Sequence, residues 1–126
     1  MNVKNSKQIL IVEDEEMLQE MYTETLTRSG YTVEVAENGR IGFRKGVTYD
    51  YDIIICDLHM PEWNGVDAIK SILLVKPDCR FIVVSAYADR KIADDLRSID
   101  RVLKLFAKPV DMHELAQCIS DAESLA

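Results

Sequence analysis

Four apolar runs in this 126-residue chain stop at groups that can do chemistry. QILIV is followed by Glu13 and Asp14, IIIC by Asp57, FIVV by Ser85, and VLKLF leads to Lys108 and Pro109. Carboxylates a few ångströms apart repel, so three of them are stable as anions only around a cation. An all-oxygen site with open positions for water suits Mg²⁺. A lysine beside such a site opposes the metal unless an anion arrives that both can hold, and phosphate fits that description. Mg²⁺ and Lys108 can each take one phosphoryl oxygen while Ser85 donates a hydrogen bond to another. This is the positioning and charge stabilisation that phosphoryl transfer requires, with one carboxylate at a strand end as the nucleophile.

The elements that must position these groups follow from periodicity. Residues 8–12, 32–36, 52–56, 80–84 and 102–106 are short apolar runs and read as strands. Between them Leu18, Met21, Tyr22 and Leu26 recur at helical spacing, as do Val66, Ile69, Ile72 and Leu73, then Ile92, Leu96 and Ile99. Leu115, Cys118, Ile119 and Ala122 repeat the pattern in a last helix, opened by a capping-box-like Asp111 to Glu114. A second helix over about residues 39–47 is the weakest, because Gly42 and Gly46 each cost up to about 1 kcal/mol relative to Ala. Alternating βα units with apolar central strands predict a parallel sheet covered by helices on both faces, a doubly wound α/β domain. Ligands bind such folds outside the carboxyl ends of the strands, which is where the acids, the hydroxyl and the ammonium lie.

Each residue also has a plainer reading. Glu13 and Asp14 suit the positive end of the first helix dipole, Ser85 suits a turn, and Lys108 suits a solvated surface. Their joint occurrence at the ends of adjacent strands argues against coincidence. Composition limits the alternatives. A formal charge of −7 and a pI near 4.8 disfavour a nucleic-acid or anionic-membrane surface, which would need clustered Lys and Arg. The three cysteines are odd in number and lie in apolar surroundings, so they read as reduced thiols packed as small hydrophobes. The apolar run near the N-terminus is too short for a signal peptide or a membrane span, and the expectation is a single soluble cytoplasmic domain over 1–126.

In order along the chain, VEDE, CDLHMPEWNG, VSAYA and FAKPV resemble the receiver domains of two-component response regulators over nearly the whole length. The resemblance implies a (βα)5 flavodoxin-like fold with strand order 2-1-3-4-5. It implies that Asp57 is the phosphoacceptor, taking a phosphoryl group from a phosphohistidine on a sensor histidine kinase or a histidine phosphotransfer protein. It further implies that Glu13, Asp14, Asp57 and the main-chain carbonyl of His59 hold Mg²⁺, and that Ser85 and Lys108 engage the phosphoryl group. Such a domain catalyses its own phosphorylation and dephosphorylation and switches a surface for a downstream protein or output domain. His59 and Tyr87, by the same resemblance, flank the path of the attacking water. Within the loop, Met60 and Pro61 shape the turn, and Asn64-Gly65 is expected to hold positive φ.

The chain departs from the family pattern near its output side. Receiver domains usually carry an aromatic residue three before the conserved lysine, and here that position is Leu105, with Phe106 one step later. The Gly-Ala turn before the last strand is replaced by SIDRVLK, and the segment from Ser85 to Lys108 is about one residue longer than usual. Two other classes compete. A haloacid-dehalogenase-type phosphatase needs a second Asp two residues after the nucleophile, where this chain has His59. A pseudo-receiver that only binds a partner is expected to have lost part of the acid, hydroxyl and lysine set, which is complete here.

Overall fold

The computed structural model describes residues 7–60, 64–86 and 90–124. Strands β1 (Gln8–Val12), β2 (Thr32–Ala36), β3 (Ile53–Asp57), β4 (Arg80–Ser85) and β5 (Val102–Ala107) alternate with helices α1 (Glu16–Arg28), α2 (Gly39–Thr48), α3 (Gly65–Val75), α4 (Arg90–Arg97) and α5 (Met112–Ser124). All paired strands are parallel, in the order β2-β1-β3-β4-β5. The last three strands each run one residue beyond the apolar stretch that predicts them. The pairings Asp57↔Val84 and Ser85↔Ala107 show why. A parallel ladder is built from backbone groups and continues through polar residues as long as a neighbour is there to pair. Asp52, expected to open the third strand, lies outside it, and its carboxylate accepts the Gln8 N–H at 2.7 Å.

Because successive strand residues point to opposite faces, the sheet divides its apolar side chains between two layers. Ile9, Ile11, Ile53, Ile55, Ile82, Val84 and Phe106 pack with Tyr22 and Leu26 of α1 and Leu115 and Ile119 of α5. Leu10, Val12, Ile54, Cys56, Phe81 and Val83 pack on the other face with Ile69 and Ile72 of α3 and Leu96 of α4, and Ile41 and Val47 of α2 join them. The stripe on α1 is Leu18, Tyr22 and Leu26, four residues apart, whereas Met21, expected in it, is 42% exposed.

The weakness of α2 in the sequence becomes its function in the packing. A Cβ at Gly42 would lie 2.7 Å from both methyl groups of Val12, and one at Gly46 would lie 2.9 Å from Ile72 Cδ1. The helix approaches β1 and α3 more closely than any side chain allows. Asn38 caps it, accepting the Ile41 N–H at 2.8 Å. Asn64 does the same for α3, accepting from Asp67 at 3.1 Å with φ of −97°. The Asn64-Gly65 pair is therefore a helix start, and the expected positive φ is found instead at Gly30, at 94°. Asp111 opens α5 as expected, its Oδ1 accepting from His113 and Glu114 at 2.8 and 3.1 Å.

Candidate functional site

Register brings the chemistry together. Val12 pairs with Cys56, Asp57 with Val84 and Ser85 with Ala107, so Glu13, Asp57, Ser85 and Lys108 emerge side by side from β1, β3, β4 and β5. Carboxylate oxygens of Glu13, Asp14 and Asp57 all lie within 4.8 Å of one another. Glu13 and Asp57 are 1% and 2% exposed, while Asp14 faces solvent.

Each oxygen of Asp57 is held. Oδ1 accepts the main-chain N–H of His59 at 2.8 Å, and Oδ2 accepts from Lys108 Nζ at 2.6 Å. Lys108 also stands 3.8 Å from Glu13 and 4.0 Å from Glu15. Burial works to lower the Lys108 ammonium, but its bond to Asp57 and the surrounding acids outweigh burial and hold it above its usual value. Lys108 is thus a fixed cation.

Glu13 is held differently. Its Oε2 accepts the Glu15 N–H at 3.0 Å at the start of α1, and Gln19 Nε2 donates to its main-chain carbonyl at 2.7 Å. The plainer reading of Glu13, as an acid favouring the first helix, is therefore also true. Its Oε1 is buried without a hydrogen-bond partner. Burial, with Asp57 nearby, pushes the Glu13 carboxyl up to about 7 despite the Glu15 N–H and Lys108. A buried carboxylate oxygen without a hydrogen-bond partner, beside two further acids and with Lys108 no nearer than 3.8 Å, is well suited to ligate a cation. The donor set is oxygen only and fits a hard divalent ion.

Ser85 is 6% exposed, and its carbonyl accepts the Lys108 N–H at 2.9 Å. Its hydroxyl lies 2.7 Å from Nε2 of His59. This ring contact is not read from the sequence, which places His59 only through its carbonyl and a water path. The signal available was the coincidence of a hydrogen-bonding side chain two residues after Asp57 with a hydroxyl on the adjacent strand. Gln19 and Glu15 were missed because neither belongs to an apolar stripe or ends a strand. Pro61, Trp63 and Tyr87 lie outside the described residues.

The profile of the response regulator receiver domain matches residues 9–120. The chain belongs to that family. Relatives fall into two sizes. The receiver is 41% identical over 81 residues to the chemotaxis protein CheY of Thermotoga maritima, covering 64% of this chain and 68% of CheY. It is 44% identical over 62 residues to the transcriptional regulatory protein CusR of Escherichia coli K12, covering 49% of this chain but only 27% of CusR. Among solved structures, the response regulator TrrA of Thermotoga maritima, in complex with Mg²⁺ and BeF, superposes with a TM-score of 0.78 at 29% identity. That superposition covers 91% of this chain and 97% of TrrA. A receiver is the phosphoacceptor signalling domain of a two-component system and works with histidine kinases and output domains. Among its described residues no helix is long and apolar enough to cross a membrane.

On the output side, Leu105 is half-buried and packs with the α2–α4 layer, beside a cavity of about 310 Å³ lined with Leu96, Val102 and Leu103. Phe106 is buried on the opposite face, under α1 and α5. The aromatic ring one step later is therefore no substitute for one at Leu105. Pairing shifts between Phe81↔Val102 and Ile82↔Lys104, which leaves Leu103 as an extra residue in β5. The bulge takes up one residue of β5, and beyond it Lys108 reaches Asp57 at 2.6 Å.

Proposed function

We propose that Asp57 is the phosphoacceptor of this receiver, with Mg²⁺ held by Glu13, Asp14, Asp57 and the main-chain carbonyl of His59. The observation that carries this reading is the carboxylate of Asp57, 2% exposed at the end of β3, with an N–H on one oxygen and Lys108 on the other. The donor is a phosphohistidine on a sensor histidine kinase or a histidine phosphotransfer protein. An Asp57 oxygen forms the new P–O bond as the P–N bond breaks, and the freed imidazole takes a proton from water. When bound, Mg²⁺ supplies positive charge to the phosphoryl oxygens and to the acids that would otherwise repel them.

The chain's own groups do the rest. Lys108 exchanges its contact with Asp57 for a phosphoryl oxygen, and the Ser85 hydroxyl donates to another. Glu13, fixed at the start of α1 through Glu15 and Gln19, would offer Mg²⁺ its Oε1, which no hydrogen bond occupies. The domain acts in the cytoplasm on a downstream protein or an output domain. With its acidic balance, it makes no direct contact with nucleic acid itself. The phosphatase alternative fails on His59, which stands where a second acid is needed and whose ring meets Ser85. The test is incubation with acetyl phosphate and Mg²⁺ followed by mass spectrometry. Wild type should gain one phosphoryl group on Asp57, and Asp57→Asn or excess chelator should abolish it. Stable labelling of Asp57→Asn at the wild-type rate, or labelling undiminished by chelator, would overturn the assignment.

A further inference from the structure

Four hydrogen bonds form a closed circuit around the phosphoacceptor. The His59 N–H binds Asp57 Oδ1 at 2.8 Å, and the His59 ring meets Ser85 Oγ at 2.7 Å. The Ser85 carbonyl accepts from the Lys108 N–H at 2.9 Å, and Lys108 Nζ returns to Asp57 Oδ2 at 2.6 Å. Three of these links use groups that the proposed phosphoryl transfer already employs. The fourth, made by the His59 side chain, serves no step in it.

A serine hydroxyl has one proton to donate, whereas phosphoryl oxygens only accept. If that proton is committed to an imidazole nitrogen, an arriving phosphoryl group must break the bond before Ser85 can serve it. We propose that His59 is a resting-state latch on Ser85: its Nε2 accepts the Ser85 hydroxyl proton, and phosphorylation releases it. His59 is then a positioning residue that acts through Ser85. Its main-chain N–H and carbonyl, which serve Asp57 and the metal, are separate from the ring and survive substitution of the side chain.

The latch also joins two loops. His59 belongs to the segment between β3 and α3, and Ser85 stands at the head of the segment between β4 and α4. Breaking the bond removes this side-chain link between the two segments at the moment the phosphoryl group recruits the hydroxyl. One local exchange of partners thus selects between two arrangements. A net hydrogen bond is modest, so the expected bias is modest too.

The inference rests on the assignment of Asp57 and Ser85 above, and a double-mutant cycle separates the two. Beryllofluoride with Mg²⁺ serves as the phosphoryl mimic, and its affinity is read by calorimetry. His59→Ala should bind it about three- to tenfold more tightly than wild type, the scale of one released hydrogen bond. His59→Gln, whose amide oxygen can accept the hydroxyl, should return affinity toward wild type. In a Ser85→Ala background the gain from His59→Ala should vanish. In the wild-type protein with Mg²⁺ and no mimic, the ¹⁵N resonance of His59 Nε2 should be that of an unprotonated nitrogen and should move when beryllofluoride is added. A proton on Nε2 in that state, unchanged or weakened affinity in His59→Ala, or a gain that persists without the Ser85 hydroxyl would each overturn the latch. Failure of wild type to bind beryllofluoride at all would instead overturn the assignment of the site.

Discussion

Strands β3 and β5 both end at the proposed phosphoryl-transfer site, yet they are built oppositely. Every residue of β3 is buried, its Ile53, Ile54 and Ile55 filling both layers of the core before Asp57 appears. β5 lies at the sheet edge, carries a bulge at Leu103, and leaves Leu103 and Lys104 exposed. A nucleophile must stay within a fraction of an ångström of its partners, and a strand locked on both faces provides that. A signal needs an element with two arrangements of similar energy, and a half-buried edge strand beside a cavity provides that. The difference assigns chemistry to the centre and communication to the rim.

Thiol labelling offers the sharpest contrast. Cys56 of β3 is buried, and burial pushes its thiol up to about 12, whereas Cys118 of α5 is half-exposed. Cys118 should react with a thiol reagent in the native protein, faster as pH rises and the thiolate forms. Cys56 should wait for global unfolding, at least about a thousandfold slower for a domain of ordinary stability. Comparable native-state rates would break the contrast.

Stability comes next. Ile55→Ala at the centre should cost about 2–5 kcal/mol by denaturant titration. Leu103→Ala at the bulge should stay within about 0.5 kcal/mol, as for exposed sites. Equal losses would mean that the edge is as locked as the core. Gly42→Ala lies between these extremes. Its new methyl meets Val12, the residue before Glu13, so a loss of about 1–3 kcal/mol is expected, together with weaker Mg²⁺ binding as the end of β1 is displaced. A gain in stability from the better helix former would show that α2 can retreat freely.

The smallest effect belongs to Leu105. Without a ring to swing, it has the adjacent cavity to turn into, and the two packings should differ little in free energy. Leu105→Ala should weaken partner binding a few-fold in the phosphorylated form alone, and phosphorylation should shift amide resonances through α4 and β5. An equal loss in both forms would make Leu105 a packing residue and nothing more.

Much of this was legible in the chain because the relevant signals are local. Apolar runs that stop at an acid, a hydroxyl or an ammonium mark strand ends, and parallel strands must deliver their ends to one side. Glu13, Asp14, Asp57, Ser85 and Lys108 were therefore identifiable by type and place, as were the strand order through the family pattern and the Asp111 cap of α5. The limits of the last three strands were misjudged by one residue, since side-chain hydropathy marks burial while backbone pairing sets where a ladder stops.

What only the tertiary structure decided concerns approach between distant segments. Gly42 and Gly46 look like weaknesses in a helix until Val12 and Ile72 are found where their side chains would be. The bulge at Leu103 depends on pairing with β4, which alone says where a residue of β5 can be left over. The meeting of the His59 ring with Ser85 joins a loop to a strand end 26 residues away in the chain. Composition and periodicity determine which groups stand at the strand ends; the path of the backbone between them determines which side chains touch, because a hydrogen bond is won or lost within a few tenths of an ångström.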